Sequence, residues 1–155
     1  QCRELAIDLR RHREYSLQIR HVKSHDPVTA DLACEVGHIE LGAEDDDVAP
    51  DVIWISHARR ATALGPDGHL HAAPELVVEI LSPGTTNERR DREAKLKLYS
   101  RRGVLEYWIV DWRVQQVAVY RREELALRLV ATLYPTDMLT SPLLPGFTCV
   151  VATLL

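Results

Sequence analysis

The feature that most constrains this chain is the six-residue run Leu76-Val77-Val78-Glu79-Ile80-Leu81, where one carboxylate interrupts an otherwise aliphatic stretch. Near-continuous apolar sequence is what a strand needs when both faces of its sheet are covered. Pro83-Gly84 ends the run. Glu79 is therefore expected deep in a central strand, where a carboxylate is costly unless a cation or hydrogen bonds compensate it. It is either half of a structural salt bridge with a core-facing Arg or Lys, or a functional acid.

The sequence around this run predicts the rest of the sheet. Val52 to Ile55 is a short β-rich run between Pro50 and His57, and Gly65-Pro66-Asp67-Gly68 is a turn. Thr85 and Glu88 have capping-box spacing, with Asn87 as another possible cap, and a helix is expected from about Glu88 to Arg102. Gly103 is its natural stop. Tyr107 to Val110 reads as another buried strand, and Val117 to Tyr120 and Leu127 to Leu133 as two more, joined by hairpin turns. Ser141 to Phe147, with Pro142, Pro145 and Gly146, is expected as extended chain over the core. The order strand, strand, helix, strand, hairpin strands predicts an α/β fold with a mixed sheet and at least one crossover helix.

The opening third is less regular. Leu5 to Leu17 has patchy helical periodicity, Asp26-Pro27 marks a turn, and Ala33 to Leu41 reads as a strand region broken at Gly37. Glu44 to Asp47 is an acidic turn, expected to be solvated rather than metal-binding. Gln1-Cys2 is unlike a natural start, so a trimmed N-terminus is expected.

At 155 residues and 46% hydrophobic, the chain is expected to form a single domain over residues 1–155. No apolar run reaches the roughly 20 residues that cross a bilayer. Cys2, Cys34 and Cys149 lack metal-ligand spacing and predict small packed thiols in a reducing, cytoplasmic setting. A net charge of −4 argues against a protein that coats nucleic acid non-specifically. Local patches can still grip a backbone, and arginines do cluster at 89, 90 and 92, at 101 and 102, and at 121 and 122. Taken singly, each cluster reads as solvated helix ends or turn flanks. His69 and His71 alternate, but without a third ligand they read as loop residues.

Two further residues join Glu79. Asp51 opens the strand at Val52, although Asp is also common at strand starts. On the predicted helix, Lys95, Leu98 and Tyr99 share the apolar face while Lys97 points to water. Lys95 is then a snorkelling side chain, a partner for Asp91, or the lysine of a site. Two carboxylates on neighbouring strands can hold Mg²⁺ or Mn²⁺, with waters and a substrate phosphate completing the octahedron. A nearby lysine can stabilise the charge that develops during phosphodiester hydrolysis.

Pro50-Asp51, the block Pro74 to Pro83, Asp91 to Tyr99, Gly103 to Asp111 and Ser141 to Phe147 together resemble the Uma2 family, endonuclease-like proteins of the restriction-endonuclease-like PD-(D/E)XK fold. The resemblance covers about residues 36 to 155 and leaves 1–35 poorly matched. It implies a central β-sheet with flanking helices and a Mg²⁺- or Mn²⁺-dependent endonuclease acting on DNA. Asp51 and Glu79 would be the acids of the motif. The simple motif has a lysine two residues after the second acid, where this chain has Leu81; the family's lysine lies on the following helix, matched by Lys95. The backbone carbonyl of Ile80 would be a further metal ligand and Tyr99 a weaker site candidate. A helix upstream would add another acid, with Glu4, Glu14 and Glu35 as candidates. Glu106 and Asp111 fall in matching blocks but read as strand-end and turn residues. The alternative is a nuclease-fold module that binds nucleic acid or a protein without cutting; a third reading is an RNA-directed or repair nuclease. A homodimer through the apolar strands and the 143–155 tail is also expected.

Overall fold

The computed structural model describes residues 39–40, 47–81 and 89–155. The expectations for Leu5 to Leu17, Asp26-Pro27, Cys2, Cys34, Glu4, Glu14, Glu35, most of Ala33 to Leu41, residues 44–46 and the caps Thr85, Asn87 and Glu88 lie outside the described residues.

The fold is α/β, built on a mixed five-stranded sheet. Strands β1 (Ile39–Glu40) and β2 (Asp47–Val48) form a small separate pair. The main sheet comprises β3 (Val52–Trp54), β4 (Leu76–Ile80), β5 (Glu106–Asp111), β6 (Gln116–Glu123) and β7 (Ala126–Leu133), side by side in that order. Only β4 and β5 are parallel; the other neighbours are antiparallel. A parallel pair requires a crossover, and here it contains a π-helical turn (Arg90–Lys95) running into helix α2 (Leu96–Arg102). The helix expected from the sequence is thus present, but its first part is wound more widely. Gly103 ends it at φ 88, a left-handed conformation with little penalty for glycine.

Strand alternation divides the core into two layers. Val77, Leu81, Tyr107 and Ile109 face Leu98 and Tyr99 of α2, and Tyr99 meets Tyr107 edge-on at 5.1 Å. Val78, Trp108, Val110, Val117 and Val119 face the C-terminal segment, where Phe147 stacks on Trp108. That segment differs from the expected extended chain. It is an antiparallel pair, β8 (Met138–Thr140) and β9 (Thr148–Val150), joined by turns closed by Leu144 N–H to Ser141 and Phe147 N–H to Leu144. Leu143, Leu144 and Leu155 pack on this core and Val151 and Leu154 are buried. Cys149 is a buried free thiol.

The sequence reading did not find helix α1 (His57–Ala63). Ser56 caps it by accepting from Arg59 N–H, while its own N–H and hydroxyl donate to the buried carboxylate of Glu75. The backbone carbonyl of Glu75 accepts from Leu105 and Glu106 N–H, joining α1 to the start of β5. Glu106 is also buried, accepting from Trp108 Nε1 and Ser141 Oγ, each at 2.8 Å, with Arg121 Nε at 3.5 Å. Arg122 donates to the carbonyls of Ser100, Val104 and Tyr99. The Tyr99 carbonyl also accepts from Gly103 and Val104 N–H, and Arg122 reaches the carbonyls of Ser100 and Val104 around it, so Arg122 caps the end of α2 rather than lying solvated in a turn. Among the described residues no helix is long and apolar enough to cross a membrane.

Removing the Glu106 carboxylate leaves a buried indole N–H and a buried hydroxyl without their acceptor and takes the ion-pair partner from Arg121. Glu106→Ala is predicted to lose about 3 kcal/mol in urea denaturation, and Glu106→Gln, which keeps an acceptor, about half of that.

Candidate active site

Pro50 and the β3–β4 register define one edge of the site. Val52 pairs with Val78, so one further antiparallel step sets Asp51 opposite Glu79. Proline has no N–H to extend the ladder, and β3 begins just after it. At this end the Asp51 side chain takes the place of a backbone acceptor: Ile80 N–H donates to Asp51 Oδ2 at 2.7 Å. The next amide, Leu81 N–H, points the other way, to the carbonyl of Val110 on β5. Within a strand a residue's N–H and C=O face the same side, so the Ile80 carbonyl is directed toward the Asp51 edge.

Glu79 lies on the helical side of the sheet, 2% exposed. Lys95 Nζ lies 2.9 Å from its Oε2, and the hydroxyl of buried Tyr99 donates to its Oε1 at 2.8 Å. Lys95 ends the π-helical turn, and Tyr99 is one turn further on along the same face. Leu98 and Tyr99 are buried and Lys97 is exposed, as the helical-face reading requires. The side chain of Asp91, the alternative partner for Lys95, lies outside those described.

Burial pushes the Glu79 carboxyl up from 4.5 to about 7. The Lys95 charge and hydrogen bond and the Tyr99 hydroxyl oppose that rise, while the negative charge of Asp51 adds to it. Desolvation outweighs the lysine because the lost hydration of a buried carboxylate is only partly returned by one ion pair.

The residues present suit a divalent cation. Two carboxylates on adjacent strands repel across a short gap, a repulsion that a cation held between them would reverse. The Ile80 carbonyl faces the same edge. Among the described residues no three His, Cys, Asp or Glu side chains gather. Such an ion would be held by two acids and a carbonyl, with oxygens from water or substrate, a donor set suited to Mg²⁺ or Mn²⁺. His69 and His71 play no part in it. His71 pairs with Asp67 at 2.9 Å in the exposed turn and holds that carboxyl below its usual range, after the larger effect of the His69 backbone N–H.

A second ion pair, which the sequence reading missed, lies beside the first. Asp111, buried at the end of β5, accepts from Arg92 Nη2 at 3.0 Å, and the Arg113 guanidinium and backbone N–H lie 3.3 to 3.4 Å from its oxygens. Arg92 and Lys95 both belong to the π-helical turn, which is thus fastened to β5 through Asp111 and to β4 through Glu79. The available signal was an acid ending an apolar strand, the same kind of anomaly that singled out Glu79.

The family model Uma2, described as putative restriction endonuclease, matches residues 8–152, and the chain belongs to that family. A solved structure described as a putative nuclease belonging to DUF820 from Anabaena variabilis is similar at 21% identity and a TM-score of 0.49. The similarity covers 70% of this chain, which spans 59% of the length of that one. No curated protein matches.

A carboxyl raised to about 7 in the folded state contributes stability that is fully present below pH 4.5 and lost as pH rises through about 7. Removing its counter-charge raises it further. Lys95→Met keeps the aliphatic stem and is predicted to lose about 3 kcal/mol near pH 8.5. Near pH 5, where Glu79 is neutral, the loss is predicted to fall below about 1 kcal/mol. Urea denaturation at the two pH values measures the difference; an equal loss at both would show that Glu79 does not titrate with Lys95 as its partner.

Proposed function

We propose that this protein is a divalent-metal-dependent endonuclease hydrolysing phosphodiester bonds of DNA, with Asp51, Glu79 and Lys95 as its catalytic residues. The observation that carries the reading is the buried Glu79 carboxylate, with Lys95 2.9 Å away and Asp51 at the facing strand end. Membership in a family of putative restriction endonucleases supports the same reading.

In this reading Asp51, Glu79 and the Ile80 carbonyl hold Mg²⁺ or Mn²⁺. When bound, the cation polarises the phosphate and lowers the pKa of a water ligand. The protein supplies the rest. Ile80 N–H fixes the orientation of Asp51, and Tyr99 OH fixes that of Glu79. Lys95 brings a positive charge to the edge where the phosphate gathers negative charge on the way to its transition state. The largely buried surroundings strengthen that interaction.

One observation favours a second reading, a nuclease-fold module that binds without cutting: Lys95 and Tyr99 already occupy one oxygen each of Glu79. The two readings separate on metal binding and on turnover.

Wild type, Asp51→Asn, Glu79→Gln and Lys95→Ala are to be incubated with single-stranded, duplex and branched DNA in Mg²⁺ or Mn²⁺, once circular dichroism shows each folded. Cleavage is expected in wild type and is predicted to fall by at least about 100-fold in each variant. Mn²⁺ is predicted to raise the melting temperature of wild type but not of Asp51→Asn or Glu79→Gln. Absence of both cleavage and the Mn²⁺ shift in wild type would overturn the nuclease reading in favour of the silent module.

A further inference from the structure

Asp111 raises the same question as Glu79. It is a buried acid at the end of an apolar strand, and taking a carboxylate out of water is costly. An uncharged residue would end β5 at less cost, so the acid is expected to serve its partners. Arg113 is two residues away in the same hairpin, and its bonds to Asp111 are local. Arg92 is 19 residues away and comes from the crossover. The Arg92 pair is the one that joins separate elements.

What it joins is the turn that carries Lys95. Among the described side chains of the π-helical turn, Glu93 and Ala94 are exposed, while Arg92 and Lys95 reach acids of the sheet. Packing on the apolar core begins one residue later, at Leu96. Glu79 pairs with Ile109, two residues before Asp111 on β5. Ile109 faces the helical layer, and so does Asp111 by alternation. With strands about 4.8 Å apart and a rise of about 3.3 Å per residue, the two acids are about 8 Å apart along the sheet. The winding suits that spacing. In an α-helix, with 3.6 residues per turn, side chains three apart lie almost one above the other. A turn closed by i→i+5 bonds holds more residues, so three of them fall further short of a full circle and their side chains diverge. Arg92 can then point to β5 while Lys95 points to β4. Such winding is rare when nothing imposes it, and one anchor would leave the turn free to swing about it; two anchors on adjacent strands fix it.

We propose that Asp111, acting through Arg92, is a positioning residue of the candidate site: the pair holds the crossover turn in its wide winding and so keeps the Lys95 ammonium on Glu79. For catalysis this rests on the nuclease reading above, since it is there that Lys95 acts. It replaces the expectation that the arginines near position 90 are simply solvated: Arg92 is a strut of the site.

The test is a double-mutant cycle on the full chain, read as urea midpoints near pH 8.5 without metal or nucleic acid. Lys95→Met is made in wild type, in Asp111→Asn and in Arg92→Met. Its midpoint loss is predicted to shrink by at least about half in both backgrounds, because a lysine no longer held on Glu79 has less to lose. Glu106→Gln, at the far end of β5, controls for general weakening: there the loss is predicted to stay within about one tenth of its wild-type value. Arg92→Met, at a side chain 35% exposed, supplies the cycle if Asp111→Asn does not fold. An undiminished Lys95→Met loss in Arg92→Met refutes the positioning role, and equal shrinkage in Glu106→Gln refutes it as well. Under the nuclease reading, Asp111→Asn is further predicted to lower kcat of Mn²⁺-dependent cleavage at least about tenfold with KM within about twofold. Coupling in urea without cleavage by wild type would keep the positioning of Lys95 and remove the nuclease reading; cleavage without coupling would do the reverse.

Discussion

A carboxylate stripped of water in the middle of a sheet is the constraint around which the rest of this structure is arranged. Glu79 cannot remain ionised there without a cation, and the nearest one comes from the crossover between β4 and β5. That crossover must exist in any case, because the two strands are parallel. One segment therefore meets two demands: it completes the topology and it delivers Lys95. Its start is wound as a π-helix, and π-helical turns are often found at functional sites. Here the wide turn sets Arg92 and Lys95 on the acids of adjacent strands, Asp111 and Glu79.

Much of this was legible in the sequence, for local reasons. An acid within an aliphatic run is anomalous whatever surrounds it, and this marked Glu79. The 3.6-residue period of a helix separated Lys95 from Lys97, and their exposure in the structure follows that division. The mixed sheet followed from the order of apolar runs and one crossover. What was not legible depended on partners distant in sequence. Arg92 looks like a solvated arginine until Asp111, 19 residues away, is brought beneath it. Glu75 looks like a strand-start residue until Ser56 turns toward it, and α1 was missed because seven residues rich in Ala and Arg carry no apolar period. The π-helical winding leaves no compositional trace. The Pro- and Gly-rich stretch after Ser141 reads as extended chain, although its turns are what allow β8 and β9 to pair.

The two ends of β5 carry different acid clusters. At one end of β5, Glu106 gathers Trp108, Ser141 and Arg121 around a buried carboxylate, binding the C-terminal hairpin to the core. At the other, Asp111 holds two arginines at the surface. Both are buried acids on one strand with arginines about a third exposed beside them, but the acid at the first end also accepts from a buried indole and a buried hydroxyl.

The length of β5 gives that separation a consequence. Five residues of strand put Glu106 and Asp111 about 17 Å apart, beyond the distance over which substitutions usually influence one another. A change that weakens the fold at the Asp111 end can then be offset at the Glu106 end without altering the geometry it was meant to explore. Such a fold has room to evolve: one end of the strand can drift in sequence while the other carries the burden of remaining folded.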